Sequence, residues 1–230
     1  MIFKNRTSAA QQLAICLSRY KGQRPLIMAL PRGAVPMAKI IADELQGELG
    51  VILARKISLP GHEEYAIGAV SESGFVYKNP DVAGYNIPEL VFKDAMNRQL
   101  QLMAERRRAY RLDQINGSPE GRVTILVDDG IATGSTVFAA IKDLRAQRPA
   151  RLIVAAPVAP PETARKMEGE VDELIILDQP SHFHAVAQFY KTFDEVTDQD
   201  VMLALWGSTA SPFKARQTET EIHAPSDLKK

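Results

Sequence analysis

The segment that most constrains the fold is a strand, loop and helix pattern over residues 123–144. Residues 123–127 (Val-Thr-Ile-Leu-Val) form a short run rich in β-branched side chains, which is typical of a buried strand in a parallel sheet. Apolar residues then recur at helical spacing: Val137, Ala140, Ile141 and Leu144. A strand that leads through a loop into a helix predicts an α/β protein with a mainly parallel sheet.

The loop between this strand and this helix is suited to an anion. Gly130 and Gly134 allow a sharp turn that presents backbone N–H groups. The loop also carries three hydroxyl side chains: Thr133, Ser135 and Thr136. Because a helix begins here, its N-terminal partial positive charge adds to these donors. The segment therefore predicts a site for a phosphate monoester.

Two adjacent acids, Asp128 and Asp129, lie between the strand and this loop. Carboxylate oxygens accept hydrogen bonds from sugar hydroxyls, and they attract a divalent cation, directly or through its waters. The acids and the loop together predict a site for a phosphorylated sugar, with Asp128 and Asp129 as candidate metal ligands.

Other motifs fit this segment less well. A Walker A loop requires Lys before its Ser or Thr, whereas Gly134 is followed directly by Ser135. The dinucleotide fingerprint is absent, and a receiver-domain phosphorylation pocket does not account for residues 133–136. An ordinary strand-to-helix turn, with Ser and Thr capping the helix, stays open as the alternative.

A second strand-to-helix turn follows the apolar run 25–30. It reads Pro-Arg-Gly-Ala-Val-Pro over residues 31–36, before apolar residues at helical spacing from Ala38 to Leu45. Arg32 offers a forked cation and Gly33 a permissive backbone, which together suit a diphosphate. The alternative is a turn punctuated by proline with Arg32 in solvent.

A third candidate is the run 51–57, interpreted as a strand whose end carries the adjacent cations Arg55 and Lys56. The polar stretch 58–64 contains Pro-Gly and predicts a mobile loop, and 65–70 predicts a returning β segment. The alternative for the two cations is a charge pair that faces water.

The stretch Val127–Thr136 resembles the phosphoribosyl pyrophosphate (PRPP) motif of type I phosphoribosyltransferases. The resemblance implies a Rossmann-like α/β fold, with a mainly parallel sheet flanked by helices and a small hood or helical insertion. It implies that Asp128 and Asp129 contact the ribose hydroxyls. It also implies a 5′-phosphate site made of Gly130, Ala132, Thr133, Gly134, Ser135 and Thr136.

The resemblance extends to the other two segments. Arg32 and Gly33 are similar to the pyrophosphate loop of the family, where a non-proline cis peptide is common. The loop over 58–64 would close on PRPP, while Arg55 or Lys56 would reach the pyrophosphate; sequence alone leaves that choice open. The family also implies Mg²⁺ as cofactor, which Asp128 and Asp129 would hold through waters or ribose oxygens.

The resemblance implies a Mg²⁺-dependent enzyme that transfers phosphoribosyl from PRPP to a nitrogenous acceptor, in the first instance a nucleobase, with release of pyrophosphate. A PRPP-binding regulatory protein without turnover is the alternative. A long helix predicted over 88–112 bears on this choice, because its basic end at 105–111 would suit RNA or acidic partners. Basic residues at a helix C-terminus also simply complement the helix dipole.

The sequence constrains least the part of the site that would bind the acceptor. Phe183 and Gln179 follow the apolar run 173–177, and the resemblance makes them candidates to contact a base; Phe183 as a core side chain is the alternative. The resemblance also implies a lysine after the preceding strand in members that bind 6-oxopurines. Residues 154–160 contain none, which argues against hypoxanthine or guanine. His182 and His184 lack further ligands at zinc spacing.

The whole chain of 230 residues is 45% hydrophobic, with 28 basic and 28 acidic residues. We expect one domain over 1–206 and a flexible tail over 207–230. The balanced charge gives no electrostatic case for nucleic acid or a membrane surface, and the oligomeric state stays open. One cysteine and the polar N-terminus suggest a cytoplasmic protein.

We expect Cys16 to be buried in a helix over 8–20, in which Leu13, Ile15 or Leu17 would also be buried.

Overall fold

The computed structural model describes residues 1–59, 62–80, 87–115 and 117–207, with only the backbone for 62–65. These residues form two sheets, whose strands are β1 (Leu26–Ala29), β2 (Glu48–Val51), β3 (Ala54–Leu59), β4 (His62–Ser71), β5 (Val76–Lys78), β6 (Val123–Val127), β7 (Arg151–Val158) and β8 (Glu173–Asp178). The larger sheet has the order β2-β1-β6-β7-β8 and is entirely parallel. The predicted α/β fold with a parallel sheet is therefore confirmed.

In the described part of the chain, six α-helices flank the sheets: α1 (Arg6–Cys16), α2 (Ala34–Leu45), α3 (Glu89–Ala109), α4 (Ser135–Ala146), α5 (Pro161–Glu168) and α6 (Asp198–Trp206). Helices α1 and α2 pack on one face of the parallel sheet, α6 packs against α2, and α4 packs on the other face of the sheet. Every residue of β1 is buried, since helices cover both faces. This burial explains why the sheet strands read as continuous apolar runs in the sequence.

The strand order reverses direction between β1 and β6, which are neighbours in the sheet. From β1 the chain moves outward to β2, and from β6 it moves the other way to β7 and β8. In open α/β sheets ligands bind outside the carboxyl ends of the strands at such a switch point. The two loops singled out in the sequence, at 31–36 and 128–136, are the loops that leave these two strands.

The predicted strand over 51–57 is wrong, because the run divides between two sheets. Strand β2 ends at Val51, and β3 begins a separate antiparallel sheet with the order β3-β4-β5. Ile52 and Leu53 link the sheets and are buried in different hydrophobic clusters, so the apolar pattern continues across the break. The cations of β3 therefore do not lie at a strand end of the parallel sheet.

The mobile loop expected over 58–64 is largely strand. Residues 58–59 end β3 and residues 62–64 begin β4, while 60 and 61 lie outside the described residues. The returning β segment predicted over 65–70 is confirmed by β4.

The first helix is shorter than expected and turns a different face to the core. The side chain of Asn5 caps α1, so the helix begins at Arg6 rather than at residue 8, and it ends at Cys16. Leu13 and Leu17 are buried, but Ile15 is 72% exposed and Cys16 is also exposed. The prediction that Cys16 is buried is wrong, because the residues that face α2 lie on the stripe that contains Ala9, Ala10 and Leu13.

The long helix predicted over 88–112 is α3. Its apolar stripe packs against the second sheet: Phe92, Met96, Leu100 and Met103. A 3-10 turn over Val186–Phe189 follows β8 and precedes α6. The tail expected from residue 207 onward lies, from 208, outside the described residues. No helix in the described part of the chain has both the length and the apolarity needed to cross a membrane.

Candidate active site

The two acids after β6 lie at the switch point, and the second one is held by residues from both ends of the chain. Arg6, the first residue of α1, donates from Nε to Asp129 Oδ2 at 2.8 Å, and its Nη2 lies 2.8 Å from the same oxygen. Tyr190 donates its hydroxyl to the backbone oxygen of Asp129 at 2.6 Å. The backbone N–H of Asp129 donates to Asp128 Oδ1 at 2.9 Å.

Burial and mutual repulsion make this pair electrostatically unusual. Burial, together with the charge of Asp129, raises the pKa of Asp128 well above its ordinary value. Burial also raises the pKa of Asp129, although the charge of Arg6 and its hydrogen bond oppose the rise. Asp128 makes no ion pair with any described residue, so its carboxyl group is left for a ligand or a cation at the switch point.

The loop after β1 lies directly against Asp129. The peptide bond between Pro31 and Arg32 is cis, as is common in the family that the sequence resembles. A methyl group at Gly33 would lie only 1.9 Å from Asp129 Oδ2, so only glycine permits this approach. The side chain of Arg32 is partly exposed and donates from Nη2 to Glu195 Oε1 at 2.5 Å.

The loop of residues 130–136 is braced by its neighbours. Gly134 has a φ of +73°, a conformation that favours glycine, and immediately precedes α4. Thr163 donates to the carbonyl of Ala132 at 2.8 Å, and the hydroxyls of Thr133 and Ser135 are 3.2 Å apart. The first hydrogen bond of the α4 backbone runs from Phe138 N to Gly134 O. The backbone N–H groups of residues 135–137 therefore come before this series of helical hydrogen bonds. These amides form the donor set expected of an anion site.

The structure separates the two cations of β3. Arg55 is half-buried on the α3 side, where its Nε donates to Gln99 at 2.7 Å. Burial and the charge of Arg106 lower the pKa of Arg55. Lys56 is exposed and is aligned across the strands with Ala69 and Tyr77.

Residues aligned in this way point to the same face of a sheet. The ring of Tyr77 stacks on Phe138 of α4 at 4.7 Å between centroids. Lys56 therefore belongs to the α4 side, the side of the helix that begins at the candidate phosphate loop, whereas Arg55 belongs to the α3 side.

A cavity of about 310 Å³ adjoins the phosphate loop and is lined in part by Thr133, Tyr77, Thr163, Phe183 and His184. Phe183 is partly buried, and its ring lies 5.1 Å from that of Phe189. Gln179, in contrast, is exposed and is not part of the cavity wall. The structure thus brings Phe183, but not Gln179, next to the candidate phosphate loop.

The acidic pair suits magnesium together with a ligand, because carboxylate oxygens are donors that Mg²⁺ prefers and Asp128 forms no ion pair with the described residues. Those residues hold no group of three or more His, Cys, Asp or Glu side chains that could form a metal site by themselves. A magnesium ion here would need oxygens from substrate or water as well, which is its common mode of binding beside phosphates.

Three residues at this site were not identified from the sequence: Arg6, Tyr190 and Glu195. Arg6 is 123 positions from Asp129, and Tyr190 is 61 positions away. Each belongs to a short segment far from the motif loops, with no local motif of its own. No pattern in a single sequence could have connected them with the acids, because the contacts exist only after these segments pack together.

A family model described as the phosphoribosyl transferase domain matches residues 2–193. Two candidate phosphoribosyl transferases of Mycobacterium tuberculosis, from strains CDC 1551 and H37Rv, are each 36% identical to the chain over 208 residues. These matches cover 89% of this chain but 46% of each relative, so the chain spans about half the length of the curated relatives it matches. The crystal structure of TT1426 from Thermus thermophilus has 36% identity and a TM-score of 0.75, over 89% of this chain and 98% of that one. The chain belongs to the phosphoribosyl transferase domain family.

Proposed function

We propose that the protein transfers the phosphoribosyl group of PRPP to a nitrogenous acceptor and releases pyrophosphate, with Mg²⁺ as cofactor. The observation that carries this proposal is the meeting of three features at one switch point. These are the acids Asp128 and Asp129, the amide-lined loop before α4, and the loop at Arg32 and Gly33, which lies against Asp129. The acids would bind the ribose hydroxyls, and residues 130–136 would bind the 5′-phosphate.

The chemistry proposed for the site consists of positioning and charge stabilisation. The bond between ribose carbon 1 and the pyrophosphate oxygen breaks, and the electron pair leaves with pyrophosphate. The acceptor nitrogen forms the new bond to carbon 1 and gives up its proton to solvent. Arg32, in the loop after β1 that lies against Asp129, and Lys56, on the α4 side of β3, would stabilise the departing diphosphate. When bound, Mg²⁺ would neutralise part of the phosphate charge.

The acceptor would enter the cavity beside Thr133. Its wall combines the aromatic rings of Phe183 and Tyr77 with polar groups on α5 and at Asn79, an arrangement that suits a flat ring with hydrogen-bonding edges. A nucleobase therefore fits this cavity better than a flexible amine. The proposal for Phe183 is a stacking contact, while the exposed position of Gln179 places it at most at the rim.

The basic end of α3 gives little support to a regulatory protein that binds acidic partners. Arg107 pairs with Glu72 at 2.6 Å and with Asp113 at 3.0 Å, so part of the charge at residues 105–111 is used within the fold. Arg106 lies over the ring of Tyr110, with 5.9 Å between the guanidinium carbon and the ring centroid.

The proposal is tested by incubating the protein with PRPP, Mg²⁺ and a panel of purine and pyrimidine bases, while pyrophosphate and nucleotide are measured. We expect one class of base to yield nucleotide, and we expect Asp128→Asn with Asp129→Asn to abolish it. Glu120→Gln is a suitable control, since Glu120 pairs with Arg148 at the protein surface. PRPP binding by isothermal titration calorimetry without turnover on any base would instead indicate a regulatory protein.

A further inference from the structure

Arg6 makes more contacts at the site than an ordinary surface cation. Two of its nitrogens lie 2.8 Å from Asp129 Oδ2, and the third donates to the carbonyl of Asp194 at 2.6 Å. The ring of Phe193 lies 3.7 Å from the guanidinium carbon. The guanidinium is therefore fixed by a carboxylate, a carbonyl and an aromatic face at once.

The backbone that carries Arg6 is fixed as well. Phe3 donates to the carbonyl of Phe189 at 2.8 Å, and Lys191 donates to the carbonyl of Phe3 at 2.8 Å. The side chain of Asn5 caps α1 and thereby sets the position at which the helix begins. Since Tyr190 in the same pairing donates to Asp129 O, the paired segments hold Asp129 at both its backbone and its side chain.

These contacts determine where the Asp129 carboxylate lies. Arg6 and the backbone at Gly33 approach the same oxygen, Oδ2, from the N-terminal helix and from the β1 loop. The carboxylate is thereby held between α1 and the loop that the proposed function assigns to pyrophosphate. A carboxylate beside Asp128 without such a partner would be repelled from that position.

We propose that Arg6 is a positioning residue, which holds Asp129 in the orientation that receives the ribose of PRPP. This inference rests on the proposed function of the site. Arg6 acts on the substrate only through Asp129, so its effect on PRPP binding requires the Asp129 carboxylate. If Arg6 acts only through Asp129, the effects of substituting the two residues on the free energy of PRPP binding are not additive.

The test is a double-mutant cycle on PRPP affinity, measured by isothermal titration calorimetry with Mg²⁺ and with kcat/KM as a second readout. We expect Arg6→Gln to weaken PRPP binding by roughly tenfold to a hundredfold, as for the loss of a hydrogen-bonded charge pair. In an Asp129→Asn background the same substitution should have almost no further effect. Arg6→Lys, which keeps the charge but loses the fork, should recover part of the affinity.

The matched control is Arg122→Gln, which breaks another partly buried pair, with Glu48 at 2.8 Å, at the opposite end of the sheet. This control should leave PRPP affinity unchanged. Urea unfolding of each variant identifies any that fail to fold, and Arg6→Lys is then the variant used in the cycle. An equal loss in both backgrounds would overturn the role of Arg6. Absence of PRPP binding by the wild-type protein would overturn the proposed function and, with it, this inference.

Discussion

Arg32 and Glu195 form an ion pair of 2.5 Å across the mouth of the candidate site, although they are 163 positions apart in the chain. If Arg32 binds pyrophosphate, this pair must open, because the diphosphate and Glu195 compete for the same guanidinium. Glu195 therefore opposes binding of the anion that the site is proposed to hold. The side chain of Glu195 is 75% exposed, so its attraction for Arg32 is weakened by solvent.

Glu195→Gln should accordingly tighten PRPP binding. Exposed ion pairs contribute about 0 to 1 kcal/mol, so we expect KM for PRPP to fall by up to about fivefold, and less at high salt. Steady-state kinetics at two salt concentrations would measure this. Glu120→Gln breaks a surface pair of equal length, with Arg148, and should not change KM. A higher KM in Glu195→Gln would mean that Glu195 assists binding.

Gly33→Ala should disable the site, because the new methyl group would lie 1.9 Å from Asp129 Oδ2. Arg6 holds Asp129 in place, so the β1 loop has to move instead. We expect kcat/KM to fall about a hundredfold, as for a displacement of about 1 Å in an active site. We also expect a loss of about 1 to 3 kcal/mol in the free energy of unfolding.

The control for Gly33→Ala is Gly169→Ala. Gly169 has a φ of −77°, and a methyl group there would meet no atom within 4 Å. This variant should keep its activity and its stability. Wild-type kinetics in Gly33→Ala would show that the β1 loop is not part of the site.

The two cations of β3 should respond differently to substitution. Arg55→Ala removes a packed side chain that donates to Gln99, so we expect a loss of about 1 to 2 kcal/mol in the free energy of unfolding with little change in KM for PRPP. Lys56→Ala should leave stability within about 0.5 kcal/mol, since Lys56 is exposed, and should lower kcat roughly a hundredfold. Urea unfolding and PRPP kinetics on both variants measure these effects. A loss of stability in Lys56→Ala and a loss of kcat in Arg55→Ala would mean that the two cations are assigned to the wrong faces of β3.

Asp128→Asn should raise stability at neutral pH while it impairs turnover. Folding raises the pKa of Asp128, so the ionised side chain destabilises the native state at any pH above that raised pKa. The advantage of asparagine should shrink as pH falls through the folded pKa, and it should vanish near the unfolded pKa of about 3.9. Above the folded pKa, the gain in the free energy of unfolding amounts to about 1.4 kcal/mol for each unit by which the folded pKa exceeds the unfolded pKa.

Glu48 provides a control of opposite sign for this experiment. A hydrogen bond from Arg122 lowers the pKa of Glu48, so Glu48→Gln should lose stability at neutral pH, and the loss should fade as pH falls through the lowered pKa. Urea unfolding between about pH 3 and pH 8, without Mg²⁺, would follow both variants across the range where such carboxyl groups titrate. A neutral-pH loss of stability in Asp128→Asn would contradict the proposed electrostatics of the acidic pair.

The structure was predicted correctly from the sequence where one short segment carries a recognisable local pattern. The run 123–127 and the helix from Ser135 were predicted correctly, because burial between two helical layers and helix periodicity both leave local patterns. The prediction failed at residues 51–57, where the apolar run continues across two sheets and two clusters. It also failed at Cys16, since which face of α1 meets α2 depends on how those helices pack.

The amino-acid sequence alone was enough to predict the two strand-to-helix loops, since buried strands, glycine-containing turns and helical spacing each leave a local pattern. The ligands assigned to these loops stay predictions. Only the tertiary structure decided that Arg6 and Tyr190 hold Asp129, that Glu195 pairs with Arg32, and that Lys56 lies on the α4 side of β3 while Arg55 lies on the α3 side. The physical reason is distance along the chain. Ion pairs and sheet faces between remote segments arise from packing, and no local pattern encodes them.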